Sequence, residues 1–368
     1  MHKCQKAYSS KYTIQEGLIT VYELKNKANH TKTPLGILNL DFSSAFDSVA
    51  HDYIRNVFQA LNFGPFFMDF LNTILNKRYG HILTDEGFTD NFLFKIGLFQ
   101  GDRASGNLFK VCLNPLLIKI ISSNAIVIPR EIPYNTRDID YIVDPVTAFA
   151  DDGDVFFQPS INNLDACNQI LVSFGDMSGL RINRSKTKIC LINGIQNNDF
   201  VEHARFLGFT IVNDFKMLGI IFDSKLLNMQ NNWTSILRKM NKIKNFWGIF
   251  SLTIPGKISI IKTFLLPQIT YLSSILTPNN NTIIDIEDMI VSFLNQNARI
   301  ARTKIFDSVQ NGGLGVPNIR YFLKSLDVLL FRKSFSINDT WCKEMHYYSI
   351  TPLDKFYFDR NLNPSLNP

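Results

Sequence analysis

The apolar residues of this chain first form a clear pattern at residues 35–41, LGILNLD. This near-continuous apolar run is typical of a strand buried on both faces, and it ends on Asp41. From Phe46 to Leu61, apolar residues recur at spacings of three and four, which predicts a helix. A carboxylate between a buried strand and a helix is a common way to build a site. Asp41 could instead cap the helix, but Asp47 could do so as well.

The same kind of pattern predicts much of the remaining architecture. Seven further helices are expected, at residues 14–24, 66–76, 108–121, 162–178, 233–250, 256–271 (interrupted by Pro267) and 283–301. Short strands are expected at residues 79–83, 88–94, 206–208 and 218–220, and one more runs up to residue 192. Three stretches are expected to be irregular: a polar linker at 25–34, an excursion at 123–144 and a fraying tail at 351–368.

A pair of adjacent aspartates is the most specific chemical signal. Asp151 and Asp152 lie in VTAFADDGDVFFQ, residues 146–158, where two apolar runs flank an Asp-Gly turn signal. This predicts a β-hairpin with two carboxylates at its tip. Such carboxylates repel each other, so they either point into solvent, which is the commoner outcome, or hold a divalent cation. If the hairpin pairs with the strand ending on Asp41, the three carboxylates converge and can hold two Mg²⁺ ions about 3.5–4 Å apart.

Charge is distributed unevenly along the 368 residues. The net charge is +6, and residues 223–306 contain ten basic and four acidic residues, which accounts for the whole excess. A basic C-terminal half beside a carboxylate-bearing half indicates a polyanionic partner, although a solvated helical face would give the same pattern.

Cysteine spacing and hydropathy argue against several classes of protein. The five cysteines are scattered and form no CxxC pair, which argues against a disulfide framework, a disulfide-linked partner and a structural zinc site. The N-terminus has no apolar segment of the kind found in secretory signals, and no apolar run is long enough to span a membrane. An intracellular location, in the nucleus or the cytoplasm, is therefore expected, without a membrane partner.

Five motifs occur in the order of the polymerase motifs of reverse transcriptases. They are LDFSSAFDSVAH (40–51), GLFQGDRASGNLF (97–109), AFADDGDVF (148–156), SGLRINRSKT (178–187) and a following Leu-Gly pair. The sequences of these motifs resemble those of non-LTR (LINE-type) retrotransposons. Two later segments do so as well: LTIPGKISIIKTFLLPQITYL (252–272) and GGLGVPNI (312–319). The Ala-Asp-Asp motif alone has low specificity, but five ordered motifs at suitable spacing are highly specific. The resemblance covers nearly the whole chain.

The resemblance implies an RNA-directed DNA polymerase with an RNA template, a DNA primer and deoxynucleoside triphosphates as partners. It implies two Mg²⁺ ions, with Mn²⁺ as an alternative, bound by Asp41, Asp151 and Asp152. Lys186 matches a general acid for the leaving pyrophosphate, with a solvated loop lysine as the alternative. The implied nucleotide-binding residues are Phe42, Ser44, Ala45, Phe46, Gln100 and Gly101. Phe46 matches the aromatic gate that excludes a 2′-hydroxyl, and a core phenylalanine is a nearly equal alternative.

The implied fold is α+β, a right-hand polymerase palm whose antiparallel sheet packs on helices, with partial fingers and a helical thumb. The expected boundaries are 1–34 for partial fingers, 35–222 for the palm with its inserted segments, 223–310 for the thumb and 311–368 for a C-terminal connector. Leu218-Gly219 resembles the primer grip, with Leu207-Gly208 as a rival. The basic helices resemble a thumb that follows the duplex backbone, with its contacts at Arg238, Lys239, Lys242 and Lys244.

The chain also departs from the family pattern. Phe99 stands where the family commonly has Arg, and Gly106 where Pro is usual. QKAY (5–8) resembles a point partway into the family's domain. The fingers hairpin, an endonuclease and a Cys/His nucleic-acid-binding segment are therefore expected to be missing. The isolated chain is then expected to have little polymerase activity.

Three alternatives keep part of this interpretation. A degenerate element would bind nucleic acid without catalysis, which the missing fingers favour and the intact aspartates oppose. A group II intron maturase would carry a maturase domain or an HNH tail, and neither is visible. A viral RNA polymerase would have a small residue in place of Phe46 and usually Gly-Asp-Asp.

Overall fold

The computed structural model describes residues 2–9, 12–76, 78–124, 126, 144–193, 198–224, 231–296 and 299–334. The chain divides into two compact units, Met1–Leu218 and Gly219–Pro368. The expected tail at 351–368 and most of the expected excursion at 123–144 lie outside the described residues.

The first unit combines helices with short and long strands. Its described helices are α1 (Ile14–Thr31), α2 (Ala45–Ser48), α3 (His51–Ala60), α4 (Pro65–Leu75), α5 (Ser105–Ile121), α6 (Ile161–Ser178) and α7 (Asn198–Phe206). Its described strands are β1 (Leu35–Leu40), β2 (Tyr79–Gly80), β3 (Leu83–Thr84), β4 (Gly87–Phe88), β5 (Phe92–Leu93), β6 (Val146–Phe149), β7 (Asp152–Phe157), β8 (Lys188–Ile192), β9 (Thr210–Val212) and β10 (Asp214–Met217).

A five-stranded sheet in the order β6-β7-β1-β8-β9 organises this unit. Strand β1 lies antiparallel to both β7 and β8, while β9 joins β8 in parallel. The predicted strand at 35–41 is thus the central strand, and it is buried on both faces as its composition predicts. In the register of β1 with β7, Leu40 lies opposite Gly153, which brings the end of β1 to the tip of the β6–β7 hairpin.

Helices cover both faces of this sheet. Helix α1 contacts β6 and β8, while α5 contacts β6 and packs on α3 and α6. A single apolar cluster joins β1 and β7 to helices α3, α5 and α6, and it includes Leu38, Phe157, Phe109 and Phe174. The first unit is therefore an α+β layer structure, as the resemblance implies.

Several sequence-based boundaries are confirmed because their signals are local. Helix α6 begins after Ser160, whose side chain accepts a hydrogen bond from the Asn163 N–H, and it ends at Gly179 with a φ of 82°. The hairpin expected between residues 79 and 94 is present, since β2 pairs with β5 and β3 with β4.

Two predictions about the N-terminal half are wrong. Residues 25–31 continue α1 and are not a linker, because Leu24 and Ala28 extend its buried face until Lys32 turns into the left-handed region. The single helix expected from Phe46 is interrupted after α2. There the Gly97 N–H donates to the Val49 carbonyl and the Ala50 N–H to the Ser178 carbonyl, so tertiary hydrogen bonds replace helical ones.

The second unit is mainly helical in its described residues. Its elements are β11 (Ile220–Asp223), α8 (Asn231–Gly248), α9 (Ile254–Ile260), α10 (Leu266–Ser273), α11 (Asn280–Leu294), α12 (Arg302–Phe306) and α13 (Ile319–Ser334). A π-helical turn, Ile261–Leu265, joins α9 to α10 and accommodates Pro267 in the first turn of α10. The helix expected at 283–301 ends earlier, at Leu294. Among the described residues of the whole chain, every helix is too short or too polar to cross a membrane.

Candidate active site

The three aspartates singled out in the sequence meet at one end of the central sheet. Asp41 directly follows β1, while Ala150 and Asp151 form the turn between β6 and β7. Because Leu40 pairs with Gly153, extending the register by one residue sets Asp41 opposite Asp152. The predicted convergence of strand end and hairpin tip is therefore present.

The charges of Asp41 and Asp151 both act on the Asp152 carboxylate. The pKa of Asp152 is raised to about 6, mainly because surrounding protein removes water from its carboxylate and then because of the negative charges of Asp151 and Asp41. The ligand atoms of the three aspartates do not, however, all lie within 4.8 Å of one another. Among the described residues, the only set of three or more His, Cys, Asp or Glu ligand atoms within 4.8 Å of one another is elsewhere, at His2, Cys4 and Asp144. There the Lys3 ammonium lies 3.0 Å from the Asp144 carboxylate and already supplies a positive charge.

The donor set fits divalent metal ions. Carboxylate oxygens are the ligands that Mg²⁺ prefers, and a bound cation would favour the charged form of Asp152, which burial and the two neighbouring carboxylates disfavour. Three carboxylates are enough to hold two ions about 3.5–4 Å apart. Whether Asp41 and Asp151 share an ion stays a prediction.

Backbone hydrogen bonds hold Asp41 against the loop that carries Lys186. The Asn183 N–H donates to the Asp41 carbonyl over 2.7 Å, and the Asp41 N–H donates to the Thr187 hydroxyl over 3.2 Å. The loop therefore passes directly beside Asp41, with the Lys186 side chain exposed. Asp41 does not cap the following helix, because Ser44 occupies that position.

Phe46 lies between the protein core and solvent. Its ring stacks on the buried Phe109, with 4.5 Å between ring centroids, and remains half-buried. The Leu98 N–H donates to the Phe46 carbonyl over 2.7 Å, which brings the segment containing Gln100 beside it. Both interpretations of Phe46, as a core residue and as a gate, agree with this position.

Glycine is required in the second motif for two different reasons. A side chain at Gly97 would put its Cβ 2.8 Å from the Asp47 carbonyl oxygen, so this residue permits close backbone approach. Gly101 has a φ of 90° with open space around it, so it serves the turn.

The other predicted nucleotide-binding residues divide by exposure. Ser44, Gln100 and Gly101 are exposed, whereas Phe42 and Ala45 are buried, so only their backbones can face a ligand. Ser44 has a φ of 49°, an uncommon conformation for a residue with a side chain.

At the two positions where the chain departs from the family pattern, a side chain from another segment lies against the departing residue. The guanidinium of Arg78 lies 4.5 Å from the centre of the Phe99 ring and forms an ion pair with Asp102. An arginine side chain thus reaches this place from another segment. A Cβ at Gly106 would lie 2.4 Å from the Tyr8 ring, so Tyr8 occupies the space that a proline there would need.

Sequence reasoning missed a buried carboxyl behind the site. Asp154 is fully buried, and burial raises its pKa to about 7, although a hydrogen bond from Asn39 over 2.9 Å acts in the opposite direction. Asp152 raises it further. The second carboxyl oxygen of Asp154 and the hydroxyl of its register partner Thr147 are buried without a hydrogen-bond partner among the described residues. The alternation of β7, which puts residues 152 and 154 on one face, was the available signal.

The two Leu-Gly pairs lie in different structures. Leu218 and Gly219 form the turn between β10 and β11, with φ angles of 47° and 89°, as in a type I′ turn. Leu207 and Gly208 lie just past α7, so the strand expected at 206–208 is wrong. The Leu207 carbonyl accepts a hydrogen bond from Arg184, a contact that belongs to the fold of the first unit.

Helix α8 of the second unit presents a basic and aromatic surface. Arg238, Lys239 and Lys242 are exposed and Lys244 is half-buried. The exposed Phe246 lies one turn beyond Lys242. The exposed Phe250 follows one turn later, just past the end of the helix. Not every basic residue of this unit is available for binding: Lys257 is buried and donates to the Phe293 carbonyl, and Arg302 pairs with Glu287 and Asp288.

An antiparallel sheet that gathers three aspartates at one end and packs on helices defines the palm of a nucleotide polymerase. Residues 1–221 match the family described as reverse transcriptase (RNA-dependent DNA polymerase). The chain belongs to this family, which confirms the resemblance drawn from its motifs. Enzymes of this family generally use divalent metal ions and bind a nucleic acid template.

The chain is also similar to proteins of transposable elements. It is 25% identical over 287 residues to the transposon TX1 uncharacterized 149 kDa protein of Xenopus laevis, covering 77% of this chain and 21% of that protein. It is 25% identical over 313 residues to the retrovirus-related Pol polyprotein from type-1 retrotransposable element R2 of Popillia japonica, covering 77% and 46%. The chain thus spans less than half the length of either relative.

Solved telomerase structures resemble the chain at a lower level. Telomerase from Candida albicans, in complex with a fragment of telomeric RNA, aligns with 99% of this chain and 55% of its own, at 13% identity and a TM-score of 0.41. Apo telomerase from Candida tropicalis aligns with 93% and 53%, at 11% identity and the same TM-score of 0.41.

The buried carboxyl of Asp154 should make folding stability depend on pH. Its pKa is about 7 in the folded protein against an ordinary 3.8, so the folded state binds the proton more tightly between these values. Stability from this group is therefore present at low pH and is lost as the pH rises towards 7. Asp154→Asn should remove that loss and raise the midpoint of thermal unfolding by several degrees at about pH 8, with a smaller gain at about pH 5.

Asp176→Asn is the control for this measurement, because it makes the same chemical change at an exposed position at the end of α6 and should not reproduce the effect of Asp154→Asn. A difference between wild type and Asp154→Asn that stays constant from about pH 5 to about pH 8 contradicts the prediction.

Proposed function

We propose that this chain is the polymerase part of a non-LTR retrotransposon protein that carries out RNA-directed DNA synthesis inside the cell, in the nucleus or cytoplasm. The observation that carries the proposal is the convergence of Asp41, Asp151 and Asp152 at one sheet end, with mutual charge coupling. The intact set favours this function over that of a degenerate nucleic-acid-binding remnant. The relatives' names, which place them in retrotransposable elements, support the same class.

The chain's own residues would divide the reaction between them. Asp41, Asp151 and Asp152 would hold two Mg²⁺ ions, or Mn²⁺, beside the primer end. When bound, such ions activate the primer 3′-hydroxyl and neutralise charge on the triphosphate. Lys186 would give a proton to the leaving pyrophosphate, since its loop is bonded to Asp41 and its side chain is exposed.

Nucleotide selection would fall to the segments bonded to Phe46. The exposed edge of its ring would face the sugar C2′ and leave no room for a hydroxyl. Gln100 and Gly101 would approach the incoming nucleotide and template base from the adjoining segment. The Leu218-Gly219 turn is the better candidate for the primer grip, because Leu207 already serves the fold of the first unit.

Removal of one metal ligand should abolish synthesis. Asp152→Asn should weaken Mn²⁺ binding and extension of a DNA primer on an RNA template at least about a hundredfold, because loss of a direct ligand exceeds the effect of losing an outer-shell partner. Electron paramagnetic resonance of free Mn²⁺ measures binding, and primer extension measures synthesis. Asp176→Asn, which changes an exposed aspartate at the end of α6, is the matched control. Equal Mn²⁺ affinity of wild type and Asp152→Asn contradicts the proposed site.

Phe46→Ala should admit ribonucleotides. The gate hypothesis predicts that the ratio of kcat/KM for ribo- over deoxyribonucleotide rises about tenfold or more, because the space opposite C2′ is vacated. A ratio is insensitive to any fraction of protein that fails to fold once Phe46 leaves Phe109. Phe46→Tyr, which keeps the ring, should retain the wild-type ratio. An unchanged ratio in Phe46→Ala supports the core interpretation and rejects the gate.

Duplex binding by helix α8 should depend on salt. The basic side chains of α8 would contact phosphates of an RNA–DNA duplex, and the nearby aromatic rings would add stacking or apolar contact. Changing Lys239, Lys242 and Lys244 together to Ala should reduce the slope of log affinity against log salt by up to about 3. Fluorescence anisotropy with a labelled duplex gives this slope.

A charge-matched variant separates position from net charge in this experiment. Three exposed lysines outside α8 can be changed to Ala instead, at Lys32, Lys119 and Lys324. This control should retain most of the wild-type slope. Equal slopes for the two triple variants would place the duplex elsewhere.

A further inference from the structure

A buried glutamine from the N-terminal segment contacts the turn that carries the aspartates. Gln5 is 0% exposed. Its side-chain N–H donates to the Ala150 carbonyl over 3.0 Å, and its side-chain oxygen accepts from the Ala150 N–H over 3.0 Å. Both backbone polar groups of the residue that precedes Asp151 are thus satisfied by one side chain.

The segment around Gln5 is itself fixed to the edge of the sheet. The Ala148 N–H donates to the Cys4 carbonyl and the Lys6 N–H to the Ala148 carbonyl, each over 2.9 Å, as in a parallel bridge beside β6. The Gln5 oxygen also accepts from the Ala7 N–H over 3.0 Å. The Gln5 side-chain amide is therefore oriented by a hydrogen bond within its own segment as well as by its two hydrogen bonds with Ala150.

Ala150 needs such a partner because its backbone is strained. Its φ is 55°, in the left-handed region, which is unfavourable for a residue with a Cβ. A released turn would move towards negative φ, and Asp151, the next residue, would swing with it. A primary amide carries the donor and the acceptor that Ala150 requires side by side on one planar group, whereas an ionised carboxylate has no donor.

We infer that Gln5 is a positioning residue for the metal-binding tip: it clamps Ala150 in the left-handed conformation and so aims Asp151 and Asp152 at Asp41. The inference rests on the proposed function for what the tip binds. It adds an outer-shell partner to the site, of the kind whose loss reduces metal affinity about 10–100-fold.

Mn²⁺ affinity, measured by electron paramagnetic resonance on the full chain, tests the clamp. Gln5→Ala should weaken binding about tenfold or more. Gln158→Ala, which removes an exposed glutamine just past β7, should leave affinity unchanged. In the Gln5→Ala background, Ala150→Gly should recover part of the lost affinity, because glycine adopts positive φ without strain. A general loss of packing at position 5 would not be repaired by a change at position 150.

Each result decides a separate point. A folded Gln5→Ala protein with wild-type affinity overturns the clamp, and so does a loss that Ala150→Gly leaves untouched. Equal affinity of wild type and Asp152→Asn instead overturns the proposed function. If Gln5→Ala fails to fold, hydrogen exchange of the wild-type chain still tests the clamp. The Ala150 amide should exchange slowly although it lies at a hairpin tip, and exchange at the rate of an open turn overturns the inference.

Discussion

Three carboxylates must be held within electrostatic reach of one another at one end of a sheet, and the rest of the first unit depends on this constraint. Their proximity is unfavourable by itself, since burial, and then the charges of Asp151 and Asp41, raise the pKa of Asp152. The opposing free energy comes from apolar burial in β1, β7 and the helices α3, α5 and α6, which form one cluster. The sheet provides the geometry, because the antiparallel register of β1 with β7 fixes the level at which Asp41 meets the hairpin tip.

Hydrogen bonds between segments distant in sequence then set the local geometry. The Asn183 N–H bonds to the Asp41 carbonyl, and the Leu98 N–H bonds to the Phe46 carbonyl. Gln5 bonds to Ala150 in the same manner, through backbone groups on the aspartate turn. Each motif therefore supplies backbone support to a functional residue of another. The first two contacts use backbone N–H groups, which every residue except proline has, whereas the contacts to Ala150 need the Gln5 side chain.

The sequence was sufficient where structure follows from local signals, and insufficient where distant contacts decide. The central strand was predictable from residues 35–41, and α6 from its flanking Ser160 and Gly179. The break between α2 and α3 was not, because its hydrogen bonds come from Gly97 and Ser178. The C-terminal extension of α1 was not predicted because most of its residues are polar, which weakens the apolar periodicity of its buried face. Gln5 carried no periodic or charge signal, and its role depends on a contact 145 residues away.

The residues around the aspartates combine several features that are locally unfavourable. Ser44 and Ala150 have left-handed backbones without being glycine, and Asp154 is a fully buried carboxyl. Each feature lowers folding stability, so it persists only where the surrounding structure enforces it. Ala150 is an example of such enforcement, since the buried side-chain amide of Gln5 satisfies both backbone polar groups of this strained residue. The buried carboxyl of Asp154 therefore lowers stability without a conformational role of its own, whereas the left-handed turn at Ala150 must be kept, with or without strain, for Asp151 to lie where it does.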